Sequence, residues 1–238
     1  MKIIENDQGE ILTRQINLEN EEIITSDKNV ETGILLLSGH LEVLLNLDQC
    51  KVARSGVFQE KPIFIHISKG DSCSIKALES SEVIVVEISN EKVFDSKIYF
   101  PNSLEQKVLT IPSLNEKDKR TIVDIVNYDI EPKANIVIGE VVSDQGSWSS
   151  YPPHSHKQPE KYIYKFTNDV GFGISIVGEE ATIVKNDTIT VIPGNVSHPQ
   201  VCAPGYKMYY AWIIRNYEND PWTKREYQLE HKHLLEDK

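Results

Sequence analysis

The chain has 238 residues, 39% of them hydrophobic and 26% charged, with a net charge of −11. That length and balance suit a soluble globular protein of two small domains. They argue against a binder of nucleic acid or of an anionic membrane, because an acidic surface repels both over the Debye length.

The first stretch, MKIIENDQGEILTRQ, contains no apolar run and reads as no signal peptide. No segment approaches the ~20 apolar residues that span a bilayer. Cys50, Cys73 and Cys202 are odd in number, widely spaced and form no CxxC pair. Each reads as a small apolar residue in a reducing compartment, so a cytoplasmic protein is expected.

Strand signals then dominate to about residue 100. GILLLSGHLEVLL has leucine-rich runs around Ser38-Gly39, which reads as a hairpin turn. KPIFIHISKGDSCSIKAL sets Ile63, Ile65 and Ile67 on one face and Phe64 and His66 on the other, before a turn at Lys69-Gly70-Asp71. EVIVVEI is a further short strand. Turns every 8–12 residues fit a sandwich or barrel. Residues 101–133 are rich in Pro, Asn, Ser and charge and read as a long connector, in which KDKRTIVDIV forms a short strand or a helical turn. Strands resume at ANIVIGEVV and run through KYIYKF, GFGISIV, EATIV, DTITVI and MYYAWII. The tail DPWTKREYQLEHKHLLEDK is the one good helix candidate, with Leu229, His233 and Leu234 near helical spacing. The expected fold is all-β: two barrel halves, a long connector and a short C-terminal helix, divided as 1–110 without metal and 111–238 with metal.

The chemistry concentrates in WSSYPPHSHKQPEKYIYKF. Strand residues two apart share a face, so His154 and His156 point together, and Glu160 shares their parity, as do Tyr162, Tyr164 and Phe166. The bland reading is an exposed polar loop. The sharper one is three ligands of one ion, since neutral imidazole and carboxylate suit zinc, manganese or iron. DTITVIPGNVSHPQV supplies a fourth: Pro193-Gly194 turns the chain, and His198 closes a His₃Glu site with room for water or substrate. His40, His66, His231 and His233 have no partner at ligand spacing. One divalent ion, in the second half, is therefore expected.

HxHxxxE followed by PGxxxH on strands resembles the metal motifs of the cupin superfamily. GSWSSYPPHSH resembles the signature of the 5-deoxy-glucuronate isomerases of inositol catabolism, which are bicupins. VFQEKPIFIHISKGDSCSIKA, KRTIVDIV and GYKMYYAWI resemble further segments of that family, and the similarity spans most of residues 30–213. Related isomerases of pectin-derived uronates carry PPHTH, so SSYPPH favours the inositol branch. The chain departs from the pattern at GFGISIV, at Trp212, and in PGNVSHP, which is one residue longer. The resemblance implies His154, His156, Glu160 and His198 as metal ligands and a small sugar acid as substrate. It implies isomerisation of 5-deoxy-D-glucuronate to 5-dehydro-2-deoxy-D-gluconate.

In such a reaction an ion stabilises the developing enediolate and a neighbouring group moves a proton. Tyr162 and Tyr210 are the expected catalytic residues, and Tyr151 and Arg120 the expected substrate contacts. Arg120, Lys165 and Arg215 are the cations available to a carboxylate, although Lys165 faces away from the metal by parity. No Gly-rich nucleotide loop is present. A non-catalytic sugar-acid sensor and a metal-dependent oxygenase are the rival readings; turnover of uronate-like aldoses and oxygen consumption separate them. A homo-oligomer is compatible with this reading.

Overall fold

The computed structural model describes residues 1–235 and forms two compact units. One comprises residues 1–105 and 125–137, the other 106–124 and 138–238. The chain therefore passes between units at 105/106, 124/125 and 137/138. The expected connector contains strands of its own, Lys107–Leu109 and Arg120–Val126. The buried β-branched residues Ile122, Val123, Ile125 and Val126 account for the second of these.

The strands of the first unit pair antiparallel. Its longest strand, Glu31–Leu45, runs straight through Ser38-Gly39, so the expected hairpin there is absent. The register instead shifts between Leu36 and Ser38, a bulge. Gly39 sits at φ +107°, and an added Cβ would lie 2.2 Å from the Ser81 hydroxyl. A glycine is needed there for both reasons. The bend lets one strand serve two sheets: its first half pairs with Ile63–Ile67 and Ser81–Ile88, its second with Asp48–Arg54 and Cys73–Ala77. The core between them is aliphatic, built from residues such as Leu36, Val43, Ile65, Ile75 and Val83.

Ile63–Ile67 is buried on both faces. Its isoleucines join that core, while His66 lies on the other face against Phe94, with ring centroids 4.4 Å apart. His66 pairs with the fully buried Glu31 at 2.8 Å. Glu31 also accepts from Asn90 Nδ2 and from the backbone N–H groups of Asn135 and Ile136 at 2.7–3.0 Å. A buried carboxylate persists only with such a set of donors.

The second unit contains a six-stranded sheet in the order Lys107–Leu109, Arg120–Val126, Ile136–Ser143, Met208–Arg215, Glu160–Phe166, Ile189–Ile192. A four-stranded sheet orders Trp148–Ser149, Gln200–Cys202, Gly173–Val177 and Glu180–Val184. The small pair His154–Ser155 and Glu226–Tyr227 completes it. The expected C-terminal helix is a 3-10 helix, Leu229–Leu235, with no buried residue. Residues 236–238 of that tail lie outside the described residues. No helix among the described residues is long and apolar enough to cross a membrane.

Candidate active site

Glu160 opens a strand paired on both sides, opposite Ile192 on one neighbour and Ile214 on the other. Two flanking ladders hold its position. The turn carrying His198 packs directly on the loop carrying His156: Asn195 N donates to His156 O at 2.7 Å. A Cβ on Gly194 would lie 2.0 Å from Lys157 O, a backbone atom that cannot swing aside. Gly194→Ala is therefore expected to push this turn off the ligand loop. Thermal denaturation should show a loss of about 1–3 kcal/mol, and metal analysis a reduced content.

His156, Glu160 and His198 are buried, and their ligand atoms lie within 4.8 Å of one another. Nε2 of His156 and Nε2 of His198 each stand 3.1 Å from the same oxygen, Glu160 Oε2. The rings of His154 and His156 flank that of His198, at centroid distances of 4.9 and 5.2 Å. His154 thus stands beside the three-residue cluster, its strand tied by pairing to Glu226–Tyr227.

All three rings are oriented in the same way. Nδ1 of His154, His156 and His198 meets the backbone oxygens of Pro152, Gln158 and Val196 at 3.1, 2.9 and 2.8 Å. A carbonyl only accepts, so each Nδ1 carries the proton and a neutral ring presents a bare Nε2. A backbone carbonyl on Nδ1 is the arrangement that orients metal-ligating histidines. Two bare nitrogens facing one carboxylate oxygen repel unless positive charge lies between them. The His198 Nε2 distance is short enough for a hydrogen bond, but the alignment is not, and that buried nitrogen has no hydrogen-bond partner. A divalent ion satisfies both rings at once. The 3.1 Å separation is also about what two ligands ~2.1 Å from one ion span at roughly 95°.

The local charges agree. Burial pushes the Glu160 carboxyl up, but hydrogen-bond donation and positive charge on the side of His156 and His198 outweigh it and hold it down at about 2; with both rings neutral and Nε2 bare, a bound cation has to supply that charge. Burial, then the Arg225 guanidinium and the adjacent His198, holds the His154 imidazole at about 3. His154 is therefore neutral, the form that ligates metal.

The pocket around this cluster is lined by Arg120, Ser150, Tyr162, Tyr210, Trp212 and, from the C-terminal segment, Trp222 and Arg225. Tyr162 Oη lies 2.8 Å from Ser150 Oγ, Tyr210 Oη 2.6 Å from Ser149 Oγ, and Ser150 Oγ 3.4 Å from Tyr210 Oη. Burial raises both phenols above their ordinary range, Tyr162 well above it. Neither is a phenolate near neutral pH, and each acts as a neutral hydroxyl.

Of the residues expected from sequence, His154, His156, Glu160, Tyr162, Tyr210 and Arg120 line this pocket, and His198 completes the cluster with His156 and Glu160 that could hold a metal ion. Tyr151 does not line it: its ring packs on Trp148, centroids 5.4 Å apart. The backbone turns through Ser150 at φ +50°, and Ser150 takes the place by the pocket. Lys165 pairs with Asp187 at 2.5 Å, and neither it nor Arg215 lines the pocket. Ser150, Trp222 and Arg225 were not anticipated. Ser150 lies within the SSYPPH signature, a usable signal; Trp222 and Arg225 lie in a tail that reads as a charged helix.

Comparison with known proteins places this geometry in context. The sequence profile of the KduI/IolB family matches residues 7–234. The chain is similar to the 5-deoxy-glucuronate isomerase of Geobacillus kaustophilus, 23% identical, over 82% of this chain and 77% of that protein. It is similar to the enzyme of the same name from Bacillus subtilis strain 168, 27% identical, over 80% and 75%. Among solved structures, an IolB-like protein from Salmonella typhimurium superposes with a TM-score of 0.89 at 16% identity, covering 99% of this chain and 95% of that one. Oxalate decarboxylase from Lactobacillus farciminis superposes at 0.68 and 11% identity, covering 94% and 82%. The fold is accordingly a bicupin, two cupin-type β-barrel halves.

Proposed function

The chain belongs to the KduI/IolB family, and from that premise we propose that it is a metal-dependent aldose–ketose isomerase of inositol catabolism. Its proposed substrate is 5-deoxy-D-glucuronate and its product 5-dehydro-2-deoxy-D-gluconate. The observation that carries this reading is the meeting of His156, Glu160 and His198 at one buried point, with Nδ1 of each histidine already spent on a carbonyl. His154, with its own Nδ1 on Pro152 O, is the proposed fourth ligand. The proposed compartment is the cytoplasm, which suits three free thiols.

A divalent ion held here supplies Lewis-acid polarisation of the sugar carbonyl and charge stabilisation of the enediolate. Aldose-to-ketose conversion takes a proton from the carbon beside the aldehyde, delivers one to the aldehyde carbon, and exchanges hydroxyl and carbonyl oxygens. Tyr162, held by Ser150, presents a neutral hydroxyl beside the cluster, its ring 6.0 Å from that of His198. It donates a proton to the aldehyde oxygen and regains one from the neighbouring hydroxyl as that becomes the carbonyl, while a pocket water takes the proton from the carbon beside the aldehyde and returns one to the aldehyde carbon. The buried walls formed by Trp212 and Ile214 keep bulk water from the reacting carbons.

Turnover of 5-deoxy-D-glucuronate by metal-loaded protein in heavy water tests the proposal. The expected product carries one carbon-bound deuterium at the carbon that becomes the hydroxymethyl group. Turnover with no solvent label points instead to a hydride shift, and no turnover of any deoxy-uronate by fully loaded protein removes the isomerase reading.

A further inference from the structure

The segment 216–228 is a wall of the site. Gln158 Nε2 donates to Asp220 O at 2.6 Å, and Lys157 pairs with Asp220 at 2.9 Å. Gln228 N donates to Pro153 O at 3.0 Å, and Glu226–Tyr227 pairs with His154–Ser155. Trp222 N donates to Asn216 Oδ1 at 2.7 Å, which closes the segment on itself. These ties fix the segment to both ends of the loop that carries His154 and His156. They deliver Trp222 and Arg225 to the pocket.

Two arginines line that pocket, and they differ in what they already hold. Arg120 donates through Nη1 to Asp118 O at 2.7 Å and to Asp118 Oδ2 at 3.1 Å. Its charge is largely answered within the protein. Arg225 lies partly buried, with its guanidinium carbon 5.9 Å from the Trp222 ring centroid, a cation–π contact. It makes no hydrogen bond or ion pair with any described residue. The chain has 36 acidic residues against 25 Lys and Arg. In so acidic a protein, a pocket cation with no carboxylate of its own can take one from a ligand.

We propose that Arg225 is the carboxylate anchor of the site, held by the face of Trp222, and that it makes the pocket selective for sugar acids over neutral sugars. The inference rests on the isomerase reading of the same pocket. Arg225 binds the end of the substrate remote from the reacting carbons, so the sugar's aldehyde end is left toward the cluster of His156, Glu160 and His198. A planar fork opposite a planar carboxylate fixes orientation as well as charge, which a lysine does not reproduce.

Calorimetric titration of the metal-loaded protein with D-gluconate and with uncharged sorbitol tests this without relying on turnover. The wild type is expected to prefer gluconate. Arg225→Gln should weaken gluconate binding about 10- to 100-fold and leave sorbitol binding and metal content unchanged. Arg225→Lys, which keeps the charge and loses the fork, should fall between; unchanged thermal midpoints establish that both variants fold. Full retention of the gluconate preference in Arg225→Gln overturns the anchor and leaves the isomerase reading intact. So does a wild type that shows no preference for gluconate, since deuterium incorporation from 5-deoxy-D-glucuronate decides the isomerase reading separately.

Discussion

Glu160→Gln, a nearly isosteric change, is expected to leave the protein folded but without stoichiometric divalent metal, and to slow isomerisation by at least about 10³-fold. The reason lies in one oxygen. Glu160 Oε2 is 3.1 Å from Nε2 of both His156 and His198. The carboxylate supplies the negative charge that a divalent ion needs there, and an amide supplies none. An amide nitrogen in that position would also donate to a bare Nε2, satisfying it in place of the ion. Metal analysis after reconstitution reads the first part and the isomerase assay the second. A variant that binds metal as fully as the wild type would show that Glu160 is no ligand. His198→Ala should behave alike, because it removes one of the two nitrogens facing that oxygen.

The second large effect falls in the first unit, far in sequence from any ligand. Glu31→Ala should cost about 3–5 kcal/mol, since it removes the acceptor of four donors at once, three of them buried. Those donors are His66 Nε2, Asn90 Nδ2 and the N–H groups of Asn135 and Ile136, each within 3.0 Å. Such a loss is a large share of the 5–15 kcal/mol that holds a typical domain. By contrast Glu91→Ala, which breaks an exposed pair with Lys69, should cost less than about 1 kcal/mol. The two can be compared by chemical denaturation. All three tryptophans, Trp148, Trp212 and Trp222, lie in the second unit, so fluorescence reads that unit and far-ultraviolet circular dichroism reads both. A Glu31→Ala midpoint equal to the wild type's would mean that water or a shifted backbone replaces the carboxylate.

Much of this protein could be read from local pattern. Period-two alternation placed Glu160 and Tyr162 on the pocket face and turned Lys165 away from it, because strand geometry projects successive side chains to opposite faces. The HxHxxxE and PGxxxH spacings brought out the ligand candidates, because His154, His156 and Glu160 sit within one short stretch and the turn before His198 is announced by Pro193-Gly194. Other features are not periodic and depend on partners distant in the chain. Ser38-Gly39 has the residues of a hairpin, yet it is a bulge, because the strand continues into a second sheet whose members arrive later in the sequence. His66 looked like one polar residue among isoleucines, and only the fold brings Glu31 to it. Tyr151 and Ser150 are neighbours, and the positive φ at Ser150 decides which of them lines the pocket. Arg225 and Trp222 read as part of a charged tail, since nothing in their spacing predicts that Glu226–Tyr227 pairs beside His154. The candidate donors were therefore legible in the sequence, as two short spacing motifs. The pocket wall was decided by tertiary structure, because strand pairing joins segments whose separation no local period encodes.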